Sequence, residues 1–383
     1  MDGVGKIPVW LDCDPGHDDA FAILFSAYHP SLKLLGITTV HGNSSLPHTT
    51  HNALSLLTAI GRPQIPVYPG SASGLVRPAV HAPAIHGASG LDGTDLLPPP
   101  TTSHASEPFI EAMASALLST LKGSAWLIAT GALTNIALLF EQHPEVAEHI
   151  KGLSIMGGAI GGGFTKAPMG KVDDRERIGN WSAWAEFNIL VDPEAAQALF
   201  SNSVLAKKMV MIPLDVTHLV LATEEVQSLL LYGKSNTTEK TGIFVEGKVG
   251  EGKSTLRKML VELLLFFAKT YKDVFGIEEG PPLHDPLAVA VILDEIAGVE
   301  IPFYDFEEGK QGKKERYDVH VITEGSHEEA QNGAETGRTV VKLLPEGEDG
   351  VKIPRSLDVE RFWGILEDCL EKADAVNKAR GVV

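Results

Sequence analysis

The chain has 383 residues, 44% of them apolar, enough to bury the core of one large α/β domain or two smaller ones. Fifty acidic residues against 32 basic give a formal charge of −18, which repels nucleic-acid backbones and anionic membranes and tolerates a bound cation. Two cysteines, Cys13 and Cys369, exclude a disulfide framework and fit free thiols in a reducing compartment.

The N-terminal MDGVGKIPVWLDCD runs into a strand pattern without the regions of a secretory signal. The longest apolar stretch, 259–268, is broken by Glu262 and too short to span a bilayer. A cytoplasmic protein is expected, with nuclear residence the other location the sequence allows. Short apolar runs PVWLDCD, LLGITTV, AWLIAT, LSIM and KMVMIPL alternate with longer segments of helical period. Such alternation predicts a doubly wound, largely parallel sheet covered by helices, with the chemistry in loops after strands.

Asp192-Pro193 and Asp285-Pro286 each place an N-cap acceptor before a proline suited to the first helical turn. RYDVHVI and RTVVKLL flank a glycine-containing polar connection and predict a hairpin, and a helix over roughly 358–377 closes the chain. Surface excursions are expected at TDLLPPPTTSHASEP, at 161–179 and at 233–254. No repeat or composition shift marks a boundary, so residues 1–383 are expected to form a single domain.

The chemistry is densest in DCDPGHDD, where Asp12, Asp14, Asp18 and Asp19 fall around a Pro15-Gly16 turn between the first strand and the first helix. Four carboxylates in eight residues repel one another unless a cation, hydrogen bonds or protons relieve them. Oxygen donors without cysteine or a tight histidine pair favour calcium or magnesium. The bland alternative is that Asp18 caps the helix and the others are solvated. Spacing excludes an EF-hand. A phosphatase of the haloacid dehalogenase type would make Asp12 its nucleophile, but Gly16 stands where that pattern has Thr or Val. A second alternative is a P-loop ATPase, since GKVGEGKS at 247–254 fits that pattern and VILDE follows at 291–295. Asp294, however, falls in the run opened by Asp285-Pro286, where a helix rather than a strand end is expected.

Further segments are VHGN (40–43), IHGASGLDG (85–93), ATGALTNIA (129–137), IMGGA (155–159), GNWSAWAEFNILVDPEAA (179–196) and LHDPLAV (283–289). With DCDPGHDD they resemble, in order and spacing over almost the whole chain, the inosine-uridine-preferring nucleoside hydrolases. The 161–179 insert and the IHGASGLDG wording are similar to the fungal uridine nucleosidases. The resemblance implies a single α/β domain around a mixed sheet and one calcium ion, held by Asp14, Asp19 and Asp285 carboxylates and the Thr130 carbonyl. It implies ribose contacts by Asp18, Asn43, Met156, Asn180, Glu186 and Asn188, and places His86 and His218 near the site. Asp14 is then the general base toward water and His284 the acid that protonates the leaving base. The expected substrate is a ribonucleoside such as uridine or inosine, and the expected assembly a homodimer or homotetramer. Trp181 and Trp184 are candidates for stacking on the base or for packing. A ribose-binding module without turnover is the non-enzymatic alternative.

Overall fold

The computed structural model describes residues 5–172, 175–234, 243–245, 248–294, 296–306 and 314–381. Six strands form the central sheet: β1 (Ile7–Cys13), β2 (Leu32–Thr39), β3 (Val67–Pro69), β4 (Trp126–Ala129), β5 (Gly152–Met156) and β6 (Met209–Ile212). Their spatial order is β3-β2-β1-β4-β5-β6, and every ladder between them is parallel. Five of the strands are those the apolar runs predict. The sixth, β3, holds only three residues including Pro69, too short for a periodic signal, and pairs with Ile37–Thr39 at one edge.

Both faces of the sheet are covered, which is why its strands read as continuous apolar runs. Along β1 the side chains alternate between two cores: Val9, Leu11 and Cys13 join the packing of Phe21, Ile23, Leu57 and Phe362, while Trp10 joins that of Met113, Leu117, Ile136 and Leu199. The first core belongs to helices α1 (Asp19–Tyr28), α2 (Thr255–Phe275), α3 (Pro286–Ala290) and α4 (Val359–Ala379), with the helix over Leu46–Ala59. At the far edge, Lys352 exchanges backbone hydrogen bonds with Met209 and Met211 of β6, shielding that edge from intermolecular pairing. The expected hairpin is present as Tyr317–Val321 against Thr339–Leu343, with a short helix, His327–Gln331, inside its connection.

The strand order reverses beside β1: the chain steps outward through β2 and β3, then returns to the other side of β1 with β4. Loops leaving β1 and β4 at such a point diverge and open a crevice at the strands' carboxyl ends. DCDPGHDD leaves β1 and ATGALTNIA leaves β4, so both motifs open on that crevice.

Of the two predicted caps, Asp192 behaves as expected, accepting from the Ala195 amide at the start of Pro193–Phe200. Asp285 occupies the corresponding position before α3 but makes no capping bond, its carboxylate turned to other use. The P-loop reading fails on placement. Ser254 caps α2, Lys253 pairs with Glu371, and the short ribbon before them, Phe244–Val245 with Lys248–Val249, lies outside the central sheet. Gly247 and Glu295 lie outside the described residues; Asp294 ends a 3₁₀ turn continuing α3 and pairs with Lys352 at 2.5 Å.

Candidate active site

Above the crevice lies a small cavity lined by Asp18, Asn43, His86, Thr130, Met156, Asn180, Glu186, Asn188, His284 and Asp285, which come from seven separate motifs of the sequence. Asp14 and Asp19 are fully buried rather than lining it. Asp18, Asp19 and Asp285 each offer an oxygen within 4.8 Å of the others. At that range two carboxylate charges repel by roughly 3 to 4 kcal/mol at an effective dielectric of about 20. Among the described residues no Lys or Arg pairs with any of them.

Asp14 completes the group. Its Oδ2 accepts from the Asn43 amide at 2.7 Å, and the Asn43 side chain reaches Asp19 Oδ2 at 3.3 Å, tying the two carboxylates together. Asp14 Oδ1 is buried with no hydrogen-bond partner. Two glycines make room for this side chain: a Cβ on Gly42 would lie 2.0 Å from Oδ2, and one on Gly131 would lie 2.6 Å from Oδ1. The glycines of VHGN and ATGA are thus fixed by close approach to a carboxylate.

Burial first, and then neighbouring carboxylate charge, hold Asp14 and Asp285 well above the usual carboxylate range and push Asp18 up to about 7. An uncompensated acid group with an orphaned oxygen, no thiolate and a nearby carbonyl at Thr130 fits a hard, oxygen-preferring cation such as calcium. The Thr130 carbonyl accepts from Asn188 Nδ2 at 3.0 Å and keeps a second lone pair. Asp12 stands apart, bonded to Thr38 Oγ1 and, at 2.8 Å, to Asn135 Nδ2, and burial pushes it up to about 7. It supports the strand end and lines no part of the cavity.

Glu186 lines the cavity while its carboxylate caps the helix Phe187–Val191, accepting from Asn188 and Ile189 amides and from Gly158. That cap aims Asn188, whose amide also contacts Met156. Asn180 Oδ1 holds the Phe187 amide at 2.8 Å. His284 is engaged at both nitrogens, Nε2 with the Tyr271 hydroxyl at 2.6 Å and Nδ1 with Thr217 Oγ1 at 2.7 Å. Burial pushes its pKa well below the usual histidine value, with the neighbouring His218 and His86 adding to the effect. His284 lines the cavity where the motif order predicts it, with its Nε2 against the Tyr271 hydroxyl.

His218 lies behind that pair, 5.7 Å from the His284 ring and bonded through Nδ1 to the Pro168 carbonyl at 2.7 Å; it does not line the cavity. The tryptophans are packing residues: Trp181 sits against Phe187 at 5.1 Å, and Trp184 donates to the Gly333 carbonyl beneath Arg338. Sequence reasoning missed Phe267 and Tyr271 of α2, which wall the cavity. Their signal was one helical turn of aromatic spacing, which a core helix shows equally well.

The family model described as inosine-uridine preferring nucleoside hydrolase matches residues 9–364. A uridine nucleosidase of Saccharomyces cerevisiae is 37% identical over 382 residues, 98% of both chains. A pyrimidine-specific ribonucleoside hydrolase of Klebsiella pneumoniae is 36% identical over 288 residues, 75% of this chain and 79% of the relative. Among solved structures, a purine-preferring ribonucleoside hydrolase from Gardnerella vaginalis superposes with a TM-score of 0.72 at 25% identity, covering 96% of this chain and 98% of its own.

Proposed function

This chain belongs to the inosine-uridine preferring nucleoside hydrolases, and we propose that within the family it is a calcium-dependent enzyme that hydrolyses uridine and related ribonucleosides to free base and ribose. The observation that carries the calcium reading is the group of Asp14, Asp18, Asp19 and Asp285, buried against one another with no internal cation among the described residues. Pyrimidine preference is supported by the names of the yeast and Klebsiella relatives.

Asp14, Asp19, Asp285 and the Thr130 carbonyl would hold the ion, with Asp18 at their edge toward the cavity. Calcium, when bound, would supply the positive charge that draws the ribose hydroxyls and a water molecule to these carboxylates. Asn43 and Asn188, whose Nδ2 hydrogens are engaged within the protein, present Oδ1 as acceptors to the sugar hydroxyls, as does the Asp18 carboxylate. Asn180, Glu186 and Met156 shape the opposite side of the sugar pocket. As the N-glycosidic bond lengthens, positive charge grows on the ribose, and the carboxylates below stabilise it. Asp14 Oδ1, with no bond inside the protein, is the acceptor for the proton of the attacking water. The leaving base gains electron density beside Tyr271, whose hydroxyl is backed by His284 and Thr217, a hydrogen-bonded row able to pass a proton toward it.

Incubation with uridine, cytidine, inosine and nicotinamide riboside, with and without calcium, tests the proposal by release of reducing sugar. Calcium-dependent ribose from uridine is the expected result. Binding without ribose release would leave a ribose-binding module, and phosphate released from ATP or a phosphate ester would revive the rejected alternatives. Assembly as a homodimer or homotetramer in the cytoplasm belongs to the same proposal; light scattering on the purified protein tests the assembly, and imaging of a tagged copy tests the location.

A further inference from the structure

A row of hydrogen bonds runs from the backbone to the cavity through two imidazoles. His17, in the turn after β1, is fully buried. Its Nε2 lies 2.7 Å from the carbonyl oxygen of Asp92, and its Nδ1 lies 3.0 Å from Nδ1 of His86. A carbonyl oxygen only accepts, so Nε2 of His17 carries the hydrogen. Neither ring bonds a carboxylate among the described residues, and His17 is stacked between aromatic side chains, so each ring is neutral and carries a single N–H.

The rest follows by elimination. Nδ1 of His17 is a lone pair, Nδ1 of His86 must donate to it, and Nε2 of His86 is left as a bare acceptor. His86 lines the cavity, and among the described residues nothing bonds its Nε2. The geometry is held on all sides. The His17 ring stacks on Phe266 at 5.1 Å and Phe267 at 5.9 Å, and Gly16 passes so close that a Cβ there would meet His86 Nδ1 at 2.7 Å. The Asp92 carboxylate in turn fixes its own loop, accepting from Ala88 at 2.9 Å and from the Ser89 hydroxyl at 2.5 Å.

We propose that His17 is a positioning residue: held by the Asp92 carbonyl, it fixes the tautomer of His86 whose Nε2 accepts a hydrogen bond from an N–H or O–H donor of the bound nucleoside. A base edge with an imide N–H, as in uracil, and a ribose 5′-hydroxyl both carry that donor chemistry. The inference rests on the cavity being the nucleoside site, but the tautomer is a property of the free enzyme and can be tested without turnover.

In protein labelled with ¹⁵N-histidine, the signals that vanish in His86→Gln identify the ring. The expected wild-type pattern is an unprotonated Nε2 and a protonated Nδ1. His17→Phe keeps the stacking against Phe266 and Phe267 but offers neither donor nor acceptor, and is expected to lower kcat/KM on uridine roughly tenfold. His17→Gln, with one donor and one acceptor on a planar group, is expected to recover most of it. Repeating the pair with 3-methyluridine and with 5′-deoxyuridine identifies the donor, because the loss in His17→Phe disappears on whichever analogue lacks it. A proton on His86 Nε2 in the wild type, or equal losses on all three substrates, overturns the proposal. If the tautomer is as stated but no nucleoside is turned over, the assignment of function has failed and the hydrogen-bond row has not.

Discussion

Two segments of this chain look equally suited to ions when written out: DCDPGHDD at the end of β1 and GKVGEGKS at the start of α2. In the folded protein both lead into buried carboxylates, and the two clusters are opposites. Beside the second, Glu367 and Asp374 from one face of α4 close on Arg257 of α2, which is fully buried. The guanidinium binds Glu367 through two nitrogens at 2.9 Å each and Asp374 through Nε at 2.6 Å, while Glu371 takes a further bond at 2.9 Å. Lys253 and Ser254, which the P-loop pattern would aim at phosphate, bond to Glu371 and Asp374 instead. That cluster carries its own cation and joins two helices. The cluster after β1 gathers four buried carboxylates that no Lys or Arg pairs among the described residues, with a solvent-facing cavity above it, so its net charge is balanced by protons or by an ion from outside. Charge density alone therefore does not mark a site; charge left unbalanced next to a cavity does.

The contrast can be broken most sharply at Asp14. Asp14→Asn keeps shape and hydrogen bonding to Asn43 but removes the proton acceptor, and we expect kcat to fall about 10²- to 10⁴-fold while circular dichroism stays native. Near-normal turnover would remove Asp14 from the chemistry. Arg257→Met is expected to do the reverse, lowering stability by about 3–5 kcal/mol in chemical denaturation because Glu367 is left buried without its cation. Where that variant is still folded, its kcat should match the wild type.

Calcium should discriminate the clusters next. At a free concentration near 100 times its Kd it is expected to stabilise the wild type by about 2.7 kcal/mol, an increment retained by Arg257→Met and lost in Asp285→Ala. Equal increments in all three proteins would mean that the ion binds elsewhere. The smallest effect is on pH. Burial pushes Asp18 up to about 7, against about 4 in an unfolded chain, so the ion-free folded protein binds the extra proton between those values. Its contribution to stability is full below about pH 4 and is lost as pH rises through about 7. Calcium competes with that proton, so the calcium-induced rise in Tm should grow from about pH 5.5 to about pH 8. An increment that shrinks over that range would contradict the protonated cluster.

Much of this was legible in one dimension. The five longer strands, the capping Asp192 and the closing helix follow from periodicity and local sterics, which act over a few residues and need no knowledge of the fold. Repulsion among Asp14, Asp18 and Asp19 likewise exists in any conformation that keeps them adjacent. The motifs, taken in order, also named the cavity's polar lining from Asn43 to Asp285.

Only the tertiary structure decided what those charges face. The placement of β4 beside β1 opens the crevice, and a parallel crossover of that length leaves no local trace in sequence. Asp285 reads as a helix cap because the residues around it are cap-like; it becomes a fourth carboxylate because the fold packs α3 against α1, beside Asp18 and Asp19. Phe267 and Tyr271 have the spacing of any buried helix face, and it is the position of α2 that turns them toward the cavity. His17 sat unremarked within the most conspicuous motif, because its role depends on a carbonyl 75 residues away. DCDPGHDD by itself sets a charge that needs relief; the packing of distant segments around it decided that Asp285 adds to that charge and that no Lys or Arg meets it among the described residues.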